Sequence, residues 1–112
     1  MGSGSLIDPL QLGIKGSTQP ELYEGVIQSM VKELSDPQTR DAFWQQSLHD
    51  DGPIEIWEMN GERFLYNGNH RWHAAVEAGV GIPQDQILII ARPGTTIPTW
   101  SLAEITRLPG TP

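Results

Sequence analysis

The pair Asn60-Gly61 constrains this chain more than any other two residues. Asn-Gly is the strongest short-range signal for a two-residue hairpin turn, because that turn needs positive φ at both central positions. Before it, Ile54 and Ile56 alternate with Glu55 and Trp57; after it runs Arg63-Phe64-Leu65-Tyr66. A period of two on both flanks predicts paired antiparallel strands. Directly after Asn67-Gly68 the period changes. Asn69 is an able N-cap, Trp72, Ala75 and Val76 form an apolar stripe at helical spacing, and Gly79 suits the position past the helix end. A hairpin that runs straight into a helix restricts the chain to folds mixing sheet and helix.

The flanking segments extend that pattern. Thr18-Gln19-Pro20-Glu21 reads as a helix start, with Thr18 as cap, Glu21 as its capping-box partner and Pro20 in the first turn. Leu22, Val26, Met30 and Leu34 then recur every fourth residue, with Ile27 and Val31 widening the stripe, which predicts an amphipathic helix over 19–35. Asp36-Pro37 opens a second helix reaching about Leu48, and His49-Asp50-Asp51-Gly52-Pro53 reads as a turn. Beyond Pro83, the apolar run Ile87-Leu88-Ile89-Ile90-Ala91 predicts a buried strand. Ser101 and Glu104 can cap one last short helix before a frayed Pro-Gly-Thr-Pro end. The expected architecture is α+β: one domain over 6–112 with three to four helices and a small mixed sheet. Met1-Gly2-Ser3-Gly4-Ser5 is set aside as an expression scar or flexible lead.

Composition narrows the function classes. The chain has 112 residues, 38% of them hydrophobic, which is enough for one modest core. No apolar run approaches the roughly 18 residues that span a bilayer, and no signal-peptide pattern opens the chain, so no membrane partner is expected. With no cysteine, disulfides and thiolate metal sites are excluded; the absence fits a reducing cytoplasm and equally a protein that passes between compartments. Fourteen acidic residues against seven basic ones give a net charge of −7, and the cations are scattered from Lys15 to Arg107. Affinity for nucleic acid comes mainly from Lys and Arg neutralising phosphates, so unaided binding to nucleic acid is disfavoured. A small phosphorylated ligand needs only one or two cations and some backbone amides. An acidic surface also suits a basic protein partner.

The segment that carries chemistry is Gly68-Asn69-His70-Arg71 at the predicted helix start. A helix N-terminus offers free N–H groups and the positive end of the macrodipole to an anion. Gly68 allows a sharp turn and a close ligand approach, and His70 and Arg71 add a titratable donor and a guanidinium fork suited to phosphate oxygens. The competing reading is a capped helix with a solvated His and Arg. Either way Arg71 is expected at the surface, removable at little cost in stability.

In order along the chain, Gln19-Pro20, Pro53-Ile54-Glu55-Ile56, Gly68-Asn69-His70-Arg71, Ala74-Ala75, Gly79 and Ile82-Pro83 resemble the N-terminal domain of ParB-like proteins and sulfiredoxin over roughly residues 6–91. The resemblance implies a ParB/sulfiredoxin-like fold and an activity on phosphates: binding and hydrolysis of a nucleoside triphosphate, or transfer of its phosphoryl group, with Mg²⁺. It implies that Gly68, Asn69, His70 and Arg71 hold phosphates, with Thr18 and Gln19 opposite them near the nucleotide. ParB-like DNA-cleaving enzymes and the toxin tips of large bacterial polymorphic toxins belong to the same group. A nuclease, a non-catalytic nucleotide-gated module, and a secreted toxin acting in the cytoplasm of a target cell with a cognate immunity protein are therefore further expectations. Two departures matter. Asn69 stands where sulfiredoxin has its reactive cysteine, so that reaction is not available. Glu21 stands where ParB has an arginine, so it is expected either to hold Mg²⁺ or act as general base, or simply to cap the first helix.

The remaining candidates each have two readings. His73, one turn beyond His70, can reach the same ligand as a catalytic group. His70, His73 and Glu77 share a helical face, which suits a divalent metal or plain solvation. Trp57 faces away from Ile54 and Ile56 and either covers a second layer or stacks on a base. Asp50-Asp51 is expected either to be a solvated part of its turn or to bind a metal.

Overall fold

The computed structural model describes residues 5–112. The lead expected over 1–5 lies outside the described residues except for Ser5, whose carbonyl accepts from the Gln84 amide at 3.0 Å. Along the chain come β1 (Leu6–Ile7), a 3-10 turn (Pro9–Leu12), β2 (Ile14–Ser17), β3 (Glu21–Tyr23), α1 (Glu24–Ser35) and α2 (Pro37–Asp51). Then follow β4 (Ile54–Met59), β5 (Glu62–Asn67), α3 (Asn69–Ala78), β6 (Ile82–Pro83), β7 (Ile87–Ala91), β8 (Trp100–Ser101) and β9 (Thr106–Leu108). The fold is a mixed α+β domain. Its five-stranded sheet has the order β7-β4-β5-β2-β8, and β1-β6 and β3-β9 form two small two-stranded sheets.

The hairpin forms as expected. Asn60 (φ 54°) and Gly61 (φ 80°) take the two positive-φ positions, and β4 pairs antiparallel with β5 through Trp57–Phe64 and Ile56–Leu65. Three helices cover one face of the sheet, where Ile27, Leu34, Trp44, Ile54, Ile56, Leu65 and Trp72 build the main core. The opposite face carries a smaller cluster of Trp57, Met59 and Phe64 with Ile90 against it. Trp57 therefore covers a second layer. Tyr66 stacks on it at 4.0 Å, Arg92 lies 4.1 Å from its ring centroid, and its indole N–H donates to Glu55 at 2.6 Å.

The first predicted helix is shorter than its stripe. Glu21–Tyr23 is extended and pairs in parallel with Thr106–Leu108, more than eighty residues away, so α1 starts only at Glu24. The capping box between Thr18 and Glu21 does not exist. The Thr18 amide and hydroxyl both point at the Leu65 carbonyl, at 3.0 and 3.4 Å, and Glu21 is an exposed strand residue. Distant pairing overrides the local helix signal. Helix α2 instead overruns its prediction, taking in His49, Asp50 and Asp51, with Asp36 as its side-chain cap. Strand β7 is an edge strand, not a buried one: Leu88 and Ile89 are exposed. Ser101 and Glu104 make their capping box around a single 3-10 turn, and the chain then adds β9.

Strand direction decides what lies together. β2 and β5 run parallel, with Ser17 opposite Leu65, so the segments that follow them, Thr18-Gln19 and Gly68-Asn69, leave the sheet side by side. β4 runs antiparallel to β5, so the segment that precedes it, Asp51-Gly52-Pro53, reaches the same end.

Candidate functional site

At that end of the sheet lies a cleft of about 300 Å³ lined by Gln19, Met30, Asp51, Asn67, Gly68, Asn69, His70 and Arg71. Its floor is the first turn of α3. Gly68 is the N-cap residue, in the left-handed region (φ 81°), and no side chain caps the helix. The first helical bond closes from the Trp72 amide to the Gly68 carbonyl at 3.0 Å, so the amides of Asn69, His70 and Arg71 precede the ladder. Only glycine suits position 68: besides the positive φ, a Cβ would stand 2.8 Å from Ile54 Cγ1 and 3.0 Å from Ile54 Cα.

Asn69 is not the cap. It is the first helical residue, 2% exposed, and its side chain fixes the opposite wall. Its Oδ1 accepts from the hydroxyl of buried Ser17, and its Nδ2 donates to Gln19 Oε1 at 2.9 Å. The Ser17 oxygen accepts in turn from the Gln19 amide at 2.9 Å. Gln19 is therefore held across the cleft from the helix start, with its Nε2 left over for a ligand. Ser17 was not singled out in the sequence; its signal was only a small hydroxyl residue two positions before Gln19.

Arg71 departs furthest from expectation. It is 2% exposed, not a surface residue, and its Nη1 donates to the Gly52 carbonyl at 2.7 Å. Burial lowers its affinity for a proton, and the carboxylate of Asp51 opposes that shift. His70 is half-buried and stacked on Tyr23. Its Nε2 accepts from the Tyr23 amide at 3.0 Å, which places the ring proton on Nδ1, and burial holds its pKa below the ordinary histidine value. The cleft thus offers a neutral imidazole donor, a buried cation and a helix start without a capping side chain.

Three expected site residues stand elsewhere. Glu21 and Thr18 do not line the cleft, because β3 carries the first along the sheet formed with β9 and the carbonyl of Leu65 holds the second. His73, a turn along α3, faces the C-terminal strand. Its Nδ1 sits 3.4 Å from Arg107 Nη2, its Nε2 is buried without a partner, and burial together with the Arg107 cation lowers its pKa to about 4. Glu77 on the same side pairs with Arg107 at 2.5 Å. Among the described residues no three His, Cys, Asp or Glu side chains are grouped to hold a metal, and on the His70-His73-Glu77 face His70 Nε2 is taken by the Tyr23 amide and Glu77 by Arg107.

Asp51, a turn residue in the sequence reading, lines the cleft. It ends α2, its carbonyl accepts from Asn67 Nδ2 at 3.0 Å, and it is the one acidic residue among those lining the cleft. A carboxylate and a side-chain amide oxygen are hard oxygen donors of the kind Mg²⁺ takes beside phosphate, and Asp51 and Asn67, which carry such groups, both line the cleft. No described helix is long and apolar enough to cross a membrane. No protein-family model, curated protein or solved structure matches this chain.

Proposed function

We propose that the cleft binds the phosphates of a nucleoside triphosphate, with Mg²⁺, and promotes hydrolysis or transfer of the terminal phosphoryl group, as a domain of the ParB/sulfiredoxin kind. One observation carries this reading: a helix start without a side-chain cap, a left-handed glycine and a buried arginine line the same cleft. Unpaired amides, the helix dipole and a desolvated cation favour the same occupant, an anion with several oxygens. A cleft of about 300 Å³ is at the small end for ligand sites and suits a phosphate chain better than a whole large cofactor.

Roles follow from position. The α3 amides and Arg71 hold phosphate oxygens, the Nδ1 proton of His70 and the Nε2 group of Gln19 donate from the sides, and Asp51 with Asn67 would hold Mg²⁺. Mg²⁺ when bound supplies positive charge against the phosphates. Phosphoryl transfer asks mainly for positioning and charge stabilisation, which this set can provide. Water or an acceptor hydroxyl attacks the terminal phosphorus, and the bond from that phosphorus to the bridging oxygen breaks, releasing the nucleoside diphosphate. Glu21 and His73 take no part.

The test is calorimetric titration of the protein with ATP and GTP in Mg²⁺, with phosphate release followed in parallel and supercoiled plasmid as a further substrate. Saturable binding with phosphate release supports the reading. Binding without release leaves a nucleotide-gated module. Nicked plasmid with intact nucleotide, or no binding at millimolar nucleotide, overturns it.

A further inference from the structure

The last ordered strand does more than finish the fold. Thr106-Arg107-Leu108 pairs in parallel with Glu21-Leu22-Tyr23, and the Thr106 amide donates to the Pro20 carbonyl at 2.8 Å. Two residues beyond the strand, the Gly110 carbonyl accepts from the Gly25 amide at 2.7 Å. That contact admits no side chain on α1: a Cβ at position 25 would lie 2.6 Å from the Gly110 oxygen. The C-terminal strand thus lies against the segment that leads from Gln19 into α1.

Arg107 fastens it. Its Nη1 donates to Glu24 on α1 at 3.0 Å and its Nη2 to Glu77 on α3 at 2.5 Å. Gln28 ties the same two carboxylates together, at 2.6 and 3.0 Å. One guanidinium therefore joins three elements, and the fork geometry of arginine is what allows it to serve two carboxylates at once. Tyr23 is the last residue of the strand that β9 holds, and its amide is the group bound by Nε2 of His70.

We propose that Arg107 is a positioning residue of the phosphate cleft: it clamps the C-terminal strand to α1 and α3, and that strand holds the Tyr23 amide where it sets the tautomer and orientation of His70. The inference rests on the phosphate reading of the cleft. Without the clamp, β9 is held to β3 by backbone pairing alone, the Tyr23 amide that donates to His70 Nε2 loses its fixed position, and the Nδ1 proton is no longer presented to a ligand in one direction.

The experiment is long-range proton–nitrogen NMR of the histidine rings in the full chain, for the wild type, Arg107→Ala and Arg107→Lys, with ATP–Mg²⁺ titrations of each. In the wild type His70 carries its proton on Nδ1. In Arg107→Ala the His70 signals move to exchanging tautomers, its pKa rises towards the ordinary value, and the dissociation constant for ATP–Mg²⁺ rises about tenfold, the worth of one directed hydrogen bond. Arg107→Lys, which keeps the charge and loses the fork, falls between. Unchanged His70 tautomer and pKa in a folded Arg107→Ala protein overturns the proposal. If Arg107→Ala does not fold, Glu77→Gln weakens one arm of the clamp and must shift His70 in the same direction; no shift there overturns it equally. A His70 that responds to Arg107 in a protein that binds no nucleotide upholds the coupling and removes the phosphate reading instead.

Discussion

The guanidinium of Arg71 donates through Nη1 to the carbonyl oxygen of Gly52 at 2.7 Å, joining the first turn of α3 to the end of α2. A carbonyl at a helix C-terminus carries partial negative charge, so the buried cation has a partner before any ligand arrives. Removing the side chain leaves that carbonyl without its donor and opens space beside Gly68. Arg71→Ala is expected to lower unfolding free energy by about 2 kcal/mol, read as an earlier urea midpoint, and to abolish nucleotide binding. A variant as stable as the wild type would mean the Gly52 contact contributes nothing.

Gly68→Ala places a methyl group 2.8 Å from Ile54 Cγ1 in a residue held at φ 81°. The left-handed backbone alone costs an L-residue roughly 1–2 kcal/mol, and the contact with Ile54 adds to it. The variant should unfold earlier in urea and bind nucleotide more weakly, because relieving the contact moves the α3 amides.

Asp51→Asn separates the two ways a carboxylate can act beside phosphates. If Asp51 holds Mg²⁺, the variant binds ATP–Mg²⁺ less tightly than the wild type but binds ATP in chelator at least as well, since one repulsive charge has gone. Titration in Mg²⁺ and in EDTA reads both arms. Equal weakening in both would assign Asp51 to packing around Arg71.

Stability should fall on mild acidification. His73 has its pKa lowered from 6.5 to about 4, by burial first and by Arg107 second, with Glu77 opposing and His70 adding to the shift. A histidine that resists protonation when folded binds fewer protons than in the unfolded chain, so stability rises with pH across that window. Its contribution is complete above about 6.5 and lost as pH falls towards 4. His70, lowered by burial, acts in the same direction. Melting temperature should be level from pH 7 to 8 and drop below about 6.5, before most carboxylates protonate. His73→Phe should flatten much of that drop in a scanning calorimeter, and an unaltered profile would remove His73 from the account.

The hairpin, α3 and its closing Gly79 were legible because their signals are local: an Asn-Gly turn, a period of two and a period of 3.6 lie within a few residues of each other. The segment 19–23 was misread for the opposite reason. Its apolar spacing continues the stripe of α1, but the partner that makes it a strand is Thr106–Leu108, invisible to any local window. Asp50 and Asp51 looked like turn residues by composition, although α2 had enough helical contacts to carry through them to Gly52. The run Ile87–Ala91 was equally apolar whether central or at an edge, and only the strand order decides that.

Sequence by itself determined that a hairpin runs into a helix at Gly68-Asn69-His70-Arg71, though not that Gly68 rather than Asn69 is its cap, because those preferences belong to the backbone and to neighbouring residues. Tertiary structure alone decided which groups meet there. Parallel pairing of β2 with β5 delivers Gln19, antiparallel pairing of β4 delivers Asp51, and the pairing of β3 with β9 carries Glu21 away. Strand direction is set by how the whole chain buries its apolar faces, and no spacing within a segment encodes it.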